Sequence, residues 1–246
     1  MITEYAAIVP LFGMRSRAFE YVKIKDREDF WRIIQYEHAN YVKYLYCREI
    51  KDRAAIWRAL ANTTTTDVNT VVWYCEKVKN RPEMKEPILK FGSSGVLCRY
   101  CRVIEDDEKM WRKLADMTDD YYAKYEYCSE VKDRPEMWKK LIGLKGNDVS
   151  AAYRYYANVR KRPEIFETIL TCHNPLVLFS FCERIKDNKQ IREALMNSTD
   201  RYANEFRYRY CKHVKNRPEM AEAIKNSKQS DRDKWWRAYC RWVKEN

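Results

Sequence analysis

A cysteine returns along this chain in a fixed setting, at Cys47, Cys75, Cys101, Cys128, Cys182, Cys211 and Cys240. Tyr21 and Tyr156 hold the same place where the series would otherwise miss a beat. Successive positions lie 26 to 29 residues apart. A period of this length, with no alternating strand pattern inside it, is the signature of one supersecondary unit stacked many times over.

The unit is clearest in Tyr-Cys-Ser-Glu-Val-Lys-Asp-Arg-Pro-Glu-Met-Trp, from Tyr127 to Trp138, and in its close copies from Tyr74 to Met84 and from Tyr210 to Met220. Looser copies run from Tyr46 to Trp57, Tyr100 to Trp111, Tyr155 to Phe166 and Phe181 to Ile191. The first copy spans Glu20 to Trp31, and the last, Tyr239 to Asn246, is a single helix. Tyr125, Cys128 and Val131, at i, i+3 and i+6, line one side of a helix. Pro135 suits the first turn of a second helix, where its missing N–H costs nothing. Asp133 with Glu136 reads as a capping box for that helix, repeated by Asn80 with Glu83 and Asn216 with Glu219. Each unit is thus a helical hairpin, with a first helix of roughly 12 to 15 residues and a second of roughly 9 to 10, too short to be stable alone. The expected fold is all-α: an α-solenoid of about eight stacked helical hairpins plus a C-terminal capping helix, forming a single elongated domain over residues 1–246.

Composition agrees. The 246 residues are 46% hydrophobic with only 5 Gly and 7 Pro, enough for a continuous core and little flexible linker. No apolar run approaches the ~20 residues needed to span a membrane, and Met1 to Phe12 lacks the basic start of a secretory signal. A soluble, intracellular, cytoplasmic protein is expected.

The 9 cysteines do not read as a disulfide framework. Equivalent positions on neighbouring stacked helices lie about 8–10 Å apart, beyond the ~7 Å reach of a bridge between Cα atoms. They read as small apolar side chains that let first helices pack closely in a reducing compartment. Cys98 and Cys101 form a Cys-x-x-Cys, but no second pair follows to complete four zinc ligands. His38, His173 and His213 share no motif, and Gly92-Ser93-Ser94-Gly95 lacks the Gly-Lys-Ser/Thr of a phosphate-binding loop. No nucleophile, base and orienting acid can be assembled, so neither catalysis, cofactor nor metal is expected.

Charge carries more information. Lys plus Arg number 48 against 36 acids, a net +12, and the segment 181–246 holds +7 of it. The inter-helix turn repeats two cations: Lys25 and Arg27, Lys51 and Arg53, Lys79 and Arg81, Lys132 and Arg134, Arg160 and Arg162, Lys215 and Arg217. Stacking would align them as a basic ladder suited to an acidic polymer or acidic protein face. A structural role is equally open, because an Asp, Asn or Lys stands between the two cations of each pair and Glu105-Asp106-Asp107-Glu108 inverts one rung. Near the C-terminus Arg201, Arg207, Tyr208, Arg209, Lys212, Lys215 and Arg217 interleave cations and rings, a combination suited to single-stranded nucleic acid and to protein hot spots. Tyr121, Tyr122, Tyr202 and Tyr208 fall off the repeat register and are expected at the surface.

The strings from Tyr210 to Met220 and from Tyr153 to Glu164 resemble the short Tyr-Ala-x-x-Val-x-x-x-Arg-x-Pro-Glu helical repeats of large tailed bacteriophages, with Cys here where those repeats often carry Ala. The resemblance covers most of the chain and implies an α-solenoid and a phage origin. It transfers no catalytic residues. The expected function is a non-enzymatic solenoid gripping another protein, such as a host factor or virion component. The alternative is a sequence-tolerant nucleic-acid-binding solenoid using the basic edge and C-terminal cluster.

Overall fold

The computed structural model describes residues 28–36, 40–63, 68–118 and 120–245. Tyr21, Lys25, Arg27 and His38 lie outside them. Every regular element among the described residues is helical. The residues group into two compact units, Met1–Leu114 and Ala115–Asn246.

In the first unit α1 (Glu28–Ile34) precedes the pair α2 (Asn40–Glu49) and α3 (Ala54–Ala61). The next pair is α4 (Asn69–Lys77) with a 3-10 turn (Pro82–Met84) that runs into α5 (Lys85–Phe91). Then come α6 (Ser94–Val103) and α7 (Glu108–Asp116), whose last residues pass the unit boundary. The second unit holds α8 (Tyr121–Glu130) with α9 (Pro135–Trp138), which is extended by a 3-10 turn (Lys139–Leu141). It continues with α10 (Val149–Asn158) and α11 (Pro163–Leu170), α12 (Pro175–Arg184) and α13 (Lys189–Asn197), and α14 (Ala203–His213) and α15 (Pro218–Lys225), before the single helix α16 (Arg232–Glu245).

Stacking follows the repeat. In the first unit α2 packs on α4 and α4 on α6; in the second α8 packs on α10, α10 on α12, α12 on α14 and α14 on α16. Second helices form the other layer, with α11 on α13 and α13 on α15. This is the α-solenoid arrangement, in which a hairpin with one apolar face buries it against its neighbours.

Three repeat positions build the seam between the layers. Tyr46, Tyr74, Tyr100, Tyr127, Tyr155 and Tyr210 are 0% exposed, and the thiols after them lie in the core from Cys47 to Cys211. Met84, Met137 and Met220, two residues past the second-helix prolines, are 0% exposed as well, and Ile165 and Ile191 fill the equivalent place. The cysteines are all free, and only Cys240 is partly open to solvent. Burial pushes the thiols of Cys47, Cys75 and Cys101 up to about 12 and those of Cys182 and Cys211 up to about 11, so they stay neutral filler. Cys98 and Cys101 are both buried without a bridge.

Two local expectations are corrected. First helices span 9 to 11 residues rather than 12 to 15. The carbonyl of the buried ring residue stops them by accepting two N–H groups: Tyr127 O receives Val131 N at 2.9 Å and Lys132 N at 3.1 Å. The same pair of bonds recurs at Tyr46, Tyr74, Tyr100, Tyr155, Phe181 and Tyr210. The capping box is also absent. The N-cap residues are Arg81, Arg134, Arg162 and Arg217, extended and without a side-chain cap, each followed by Pro at the first helical position. Asp133, Asn80 and Asn216 bond elsewhere.

Candidate binding surface

The turn cations divide into two chemically distinct columns. Among the described residues the second of each pair is drawn inward. Tyr74 Oη donates to Asp52 Oδ1 at 2.6 Å, while Arg81 donates through Nε to Tyr74 Oη at 2.7 Å and through Nη2 to Asp52 Oδ2 at 2.5 Å. Asp133, Tyr155 and Arg162 repeat this triad at 2.7, 2.5 and 2.6 Å, and Asp187, Tyr210 and Arg217 repeat it at 2.7, 3.1 and 2.7 Å. In each case the carboxylate belongs to the preceding hairpin and the hydroxyl and guanidinium to the next. A charge-assisted Arg–Asp bond, closed into a ring by the tyrosine hydroxyl, therefore crosses every such junction. Arg81 also lies 4.4 Å above the Trp57 ring and Arg162 4.2 Å above Trp138, again across the junction.

The electrostatics match the geometry. Burial, then the Asp52 bond, raises Tyr74, and burial raises Tyr155; Tyr210 is pushed up to about 12, chiefly by burial and Asp187. Burial alone would raise Asp187, but hydrogen bonds from Arg217, Tyr210 and Arg192 outweigh it and hold this carboxyl below the usual range.

Exceptions obey the same logic. Where the hydroxyl is missing, at Phe181, the Asp and Arg slots hold Lys161 and Asn188. Asn188 then caps α13 by accepting from Ile191 N at 3.2 Å, and Tyr156, Phe166 and Phe181 fill the junction with rings 5.5 to 5.9 Å apart. Asp107, in the Arg slot after Tyr100, caps α7 through Lys109 N and Met110 N, and Lys85 supplies the cation for Asp107 and Glu105. Lys85 thereby offsets part of the acidic rung from within.

Of the candidate binding residues, Arg81, Arg162 and Arg217 are held in triads, Arg134 donates to Tyr127 Oη at 2.6 Å, and half-buried Arg53 lies 5.2 Å from the Trp31 ring centre. Lys51, Lys79, Lys132, Arg160 and Lys215 stay exposed at the ends of first helices, where a cation also complements the helix dipole. Arg207, expected in the surface cluster, is a core residue at 4% exposure. It donates to the carbonyls of Leu195, Met196 and Ser198 and to Asn204 Oδ1, sealing the C-terminal end of α13. Lys124, four residues before the repeat cysteine like Arg207, does the same for Met117 O at 2.5 Å and is 0% exposed. The rest of the cluster is superficial. Arg201 lies 4.6 Å above the Tyr202 ring, Tyr208 packs its ring 5.6 Å from Trp235, Arg209 pairs with Glu205 at 2.5 Å, and Lys212 is exposed.

Two surface features stand apart from the ladder and the cluster; the sequence predicts the exposure of Tyr122 and Tyr202, but not that of Leu176 or of the outer side of α16. Tyr122 (40% exposed) and Leu176 (50%) both stand six residues before the repeat ring-or-thiol position, at the N-terminal ends of α8 and α12, and Tyr202 (48%) precedes α14. Arg154 lies 5.0 Å above the Tyr122 ring. The second feature is the outer side of α16, none of whose residues is fully buried. Laying the copies against one another by that register would have found Leu176. Among the described residues no group of three His, Cys, Asp or Glu is placed to hold a metal ion, and no helix is long and apolar enough to cross a membrane. Compared with protein-family models, with curated proteins and with solved structures, the chain matches none.

Proposed function

We propose that the chain is a non-enzymatic α-solenoid whose surface binds another protein, with a host factor or virion component as the expected partner if the resemblance to phage repeats reflects origin. One observation carries the reading. Large apolar side chains recur half-exposed along the N-terminal ends of first helices in the second unit, at Tyr122, Leu176 and Tyr202, and an arginine lies over each tyrosine ring. Tyr122 meets Tyr125 of its own helix at 5.4 Å between ring centres, and the remaining surface of all three side chains is open to solvent. Tyr and Arg in contact, with an apolar neighbour, are the residue types that concentrate binding energy in protein interfaces. The basic edge adds less than its composition promises, because in three rungs the second cation, Arg81, Arg162 or Arg217, is matched within a triad.

The test is affinity capture from host lysate with and without nuclease, using the wild-type chain and a Tyr122→Ser, Tyr202→Ser variant. A protein retained through nuclease treatment and lost with the variant supports the reading. Capture that vanishes with nuclease, or that is indifferent to the two substitutions, contradicts it.

A further inference from the structure

Helix α16 packs on both α14 and α15. Its inner side is fixed by rings: Trp235 lies 5.6 Å from Tyr208, Trp236 stacks on Tyr239 at 5.5 Å under Lys225, and Tyr239 Oη donates to Asn216 Oδ1 at 3.1 Å. The residues turned the other way are Lys234, Arg237, Arg241 and Lys244. Their spacing of i, i+3, i+7 and i+10 is one straight stripe along a helix, about 15 Å long at 1.5 Å per residue. All four are exposed and none forms an ion pair among the described residues; Lys234 only rests 4.6 Å over Trp235. Nearby acids are otherwise engaged or at the margin. Asp233 pairs with Arg232, Asp231 accepts from Asn204 and Trp235, and Glu245 borders the stripe. Trp242, half-exposed, flanks it and lies 6.1 Å from Tyr239.

We infer that this outer face of α16 binds the phosphate backbone of single-stranded nucleic acid. The reading is independent of the protein-binding surface. Charge decides the occupant. Four cations a helical turn apart, with no apolar residue among them, offer a protein partner no dry centre to bury, and the buried cores of protein interfaces are depleted in charged residues. A strand bearing one charge every few ångströms can meet all four and release its counterions.

The experiment follows fluorescence anisotropy of an oligothymidylate of about 20 nucleotides between about 50 and 200 mM salt, with the full chain. Combining Lys234→Gln, Arg237→Gln, Arg241→Gln and Lys244→Gln should cut affinity at low salt at least tenfold. It should also flatten the log–log salt slope by about 3, since each single-strand phosphate contact contributes about 0.7. A matched set at the turns, Lys79→Gln, Lys132→Gln, Arg160→Gln and Lys215→Gln, should leave the slope nearly unchanged. Thermal melts confirm that both variants fold. No binding by the wild-type chain at about 50 mM salt, an unaltered slope in the α16 variant, or a larger loss in the turn variant overturns the inference. So does displacement of the oligonucleotide, at equal charge concentration, by anionic vesicles or polyglutamate, which would reassign the stripe to a membrane or an acidic protein.

Discussion

Arg162 shows how a residue can look like a ligand-binding cation and be spent on the fold. Its Nε meets Tyr155, its Nη2 meets Asp133, and its plane covers Trp138. With side-chain exposures of 19% and 24% for Arg162 and Asp133, the pair is shielded enough for loss of one partner to matter. Arg162→Ala should cost about 2 kcal/mol in urea unfolding, since it strands a carboxylate and a hydroxyl together, and Tyr155→Phe should cost about 1 kcal/mol. Asp133 illustrates what a local reading cannot reach. Its sequence context, three residues before Glu136, is that of a helix cap, but its oxygens are claimed by a hydroxyl 22 residues and a guanidinium 29 residues further on. Arg207 was illegible for a similar reason: the sequence shows a charge among charges, and only the packing sets the open carbonyls of α13 around it. The thiols were legible, because a small side chain repeated at a buried register is a packing statement. Cys128→Ala should be tolerated, costing about 1 kcal/mol, whereas Cys128→Leu should cost about 1–3 kcal/mol through overpacking, read by thermal melts.

Helix ends are set by two devices that compete for one position. Seven residues after the buried ring, Arg joins the junction triad and leaves its helix uncapped, while Asn188 and Asp107 cap α13 and α7 and leave the triad empty. Asn188→Ala should therefore destabilise by about 1 kcal/mol through its cap. Adding Arg there should not restore a triad, because Phe181 carries no hydroxyl. Gly92 marks a different constraint. A Cβ there would sit 2.4 Å from Ile88 O at the end of α5, so Gly92→Ala should force the α5–α6 connection to shift and lower the melting temperature. The hairpin pattern, the prolines at the first helical positions and the identity of the buried rings were all readable from the repeat. Helix lengths were not, because a carbonyl shared by two N–H groups ends each first helix before its apolar pattern does.

For the whole molecule, the same contacts predict stability limits at both ends of the pH scale. Asp187, Asp107, Glu105 and Glu76 are held below their usual range, so their contribution is complete above about pH 5 and fades as pH falls through and below about 4. The buried thiols shift the other way. Raised in the folded state, they add stability below about pH 8.5, which is lost as pH climbs from there toward about 12. Melting temperature against pH should form a plateau between these windows, and Cys47→Ala with Cys75→Ala should soften the alkaline limb. Of the basic excess of +12, the guanidiniums of the triads are matched within the fold, whereas the four cations along α16 form no ion pair among the described residues. The stability of the stack rests on Asp–Tyr–Arg bonds at three junctions, with caps and rings in their place where the triad is absent. The most direct measurement is a double-mutant cycle in urea with Asp133→Ala, Arg162→Ala and the pair. The account predicts a coupling of about 1–3 kcal/mol, and strictly additive losses would contradict it.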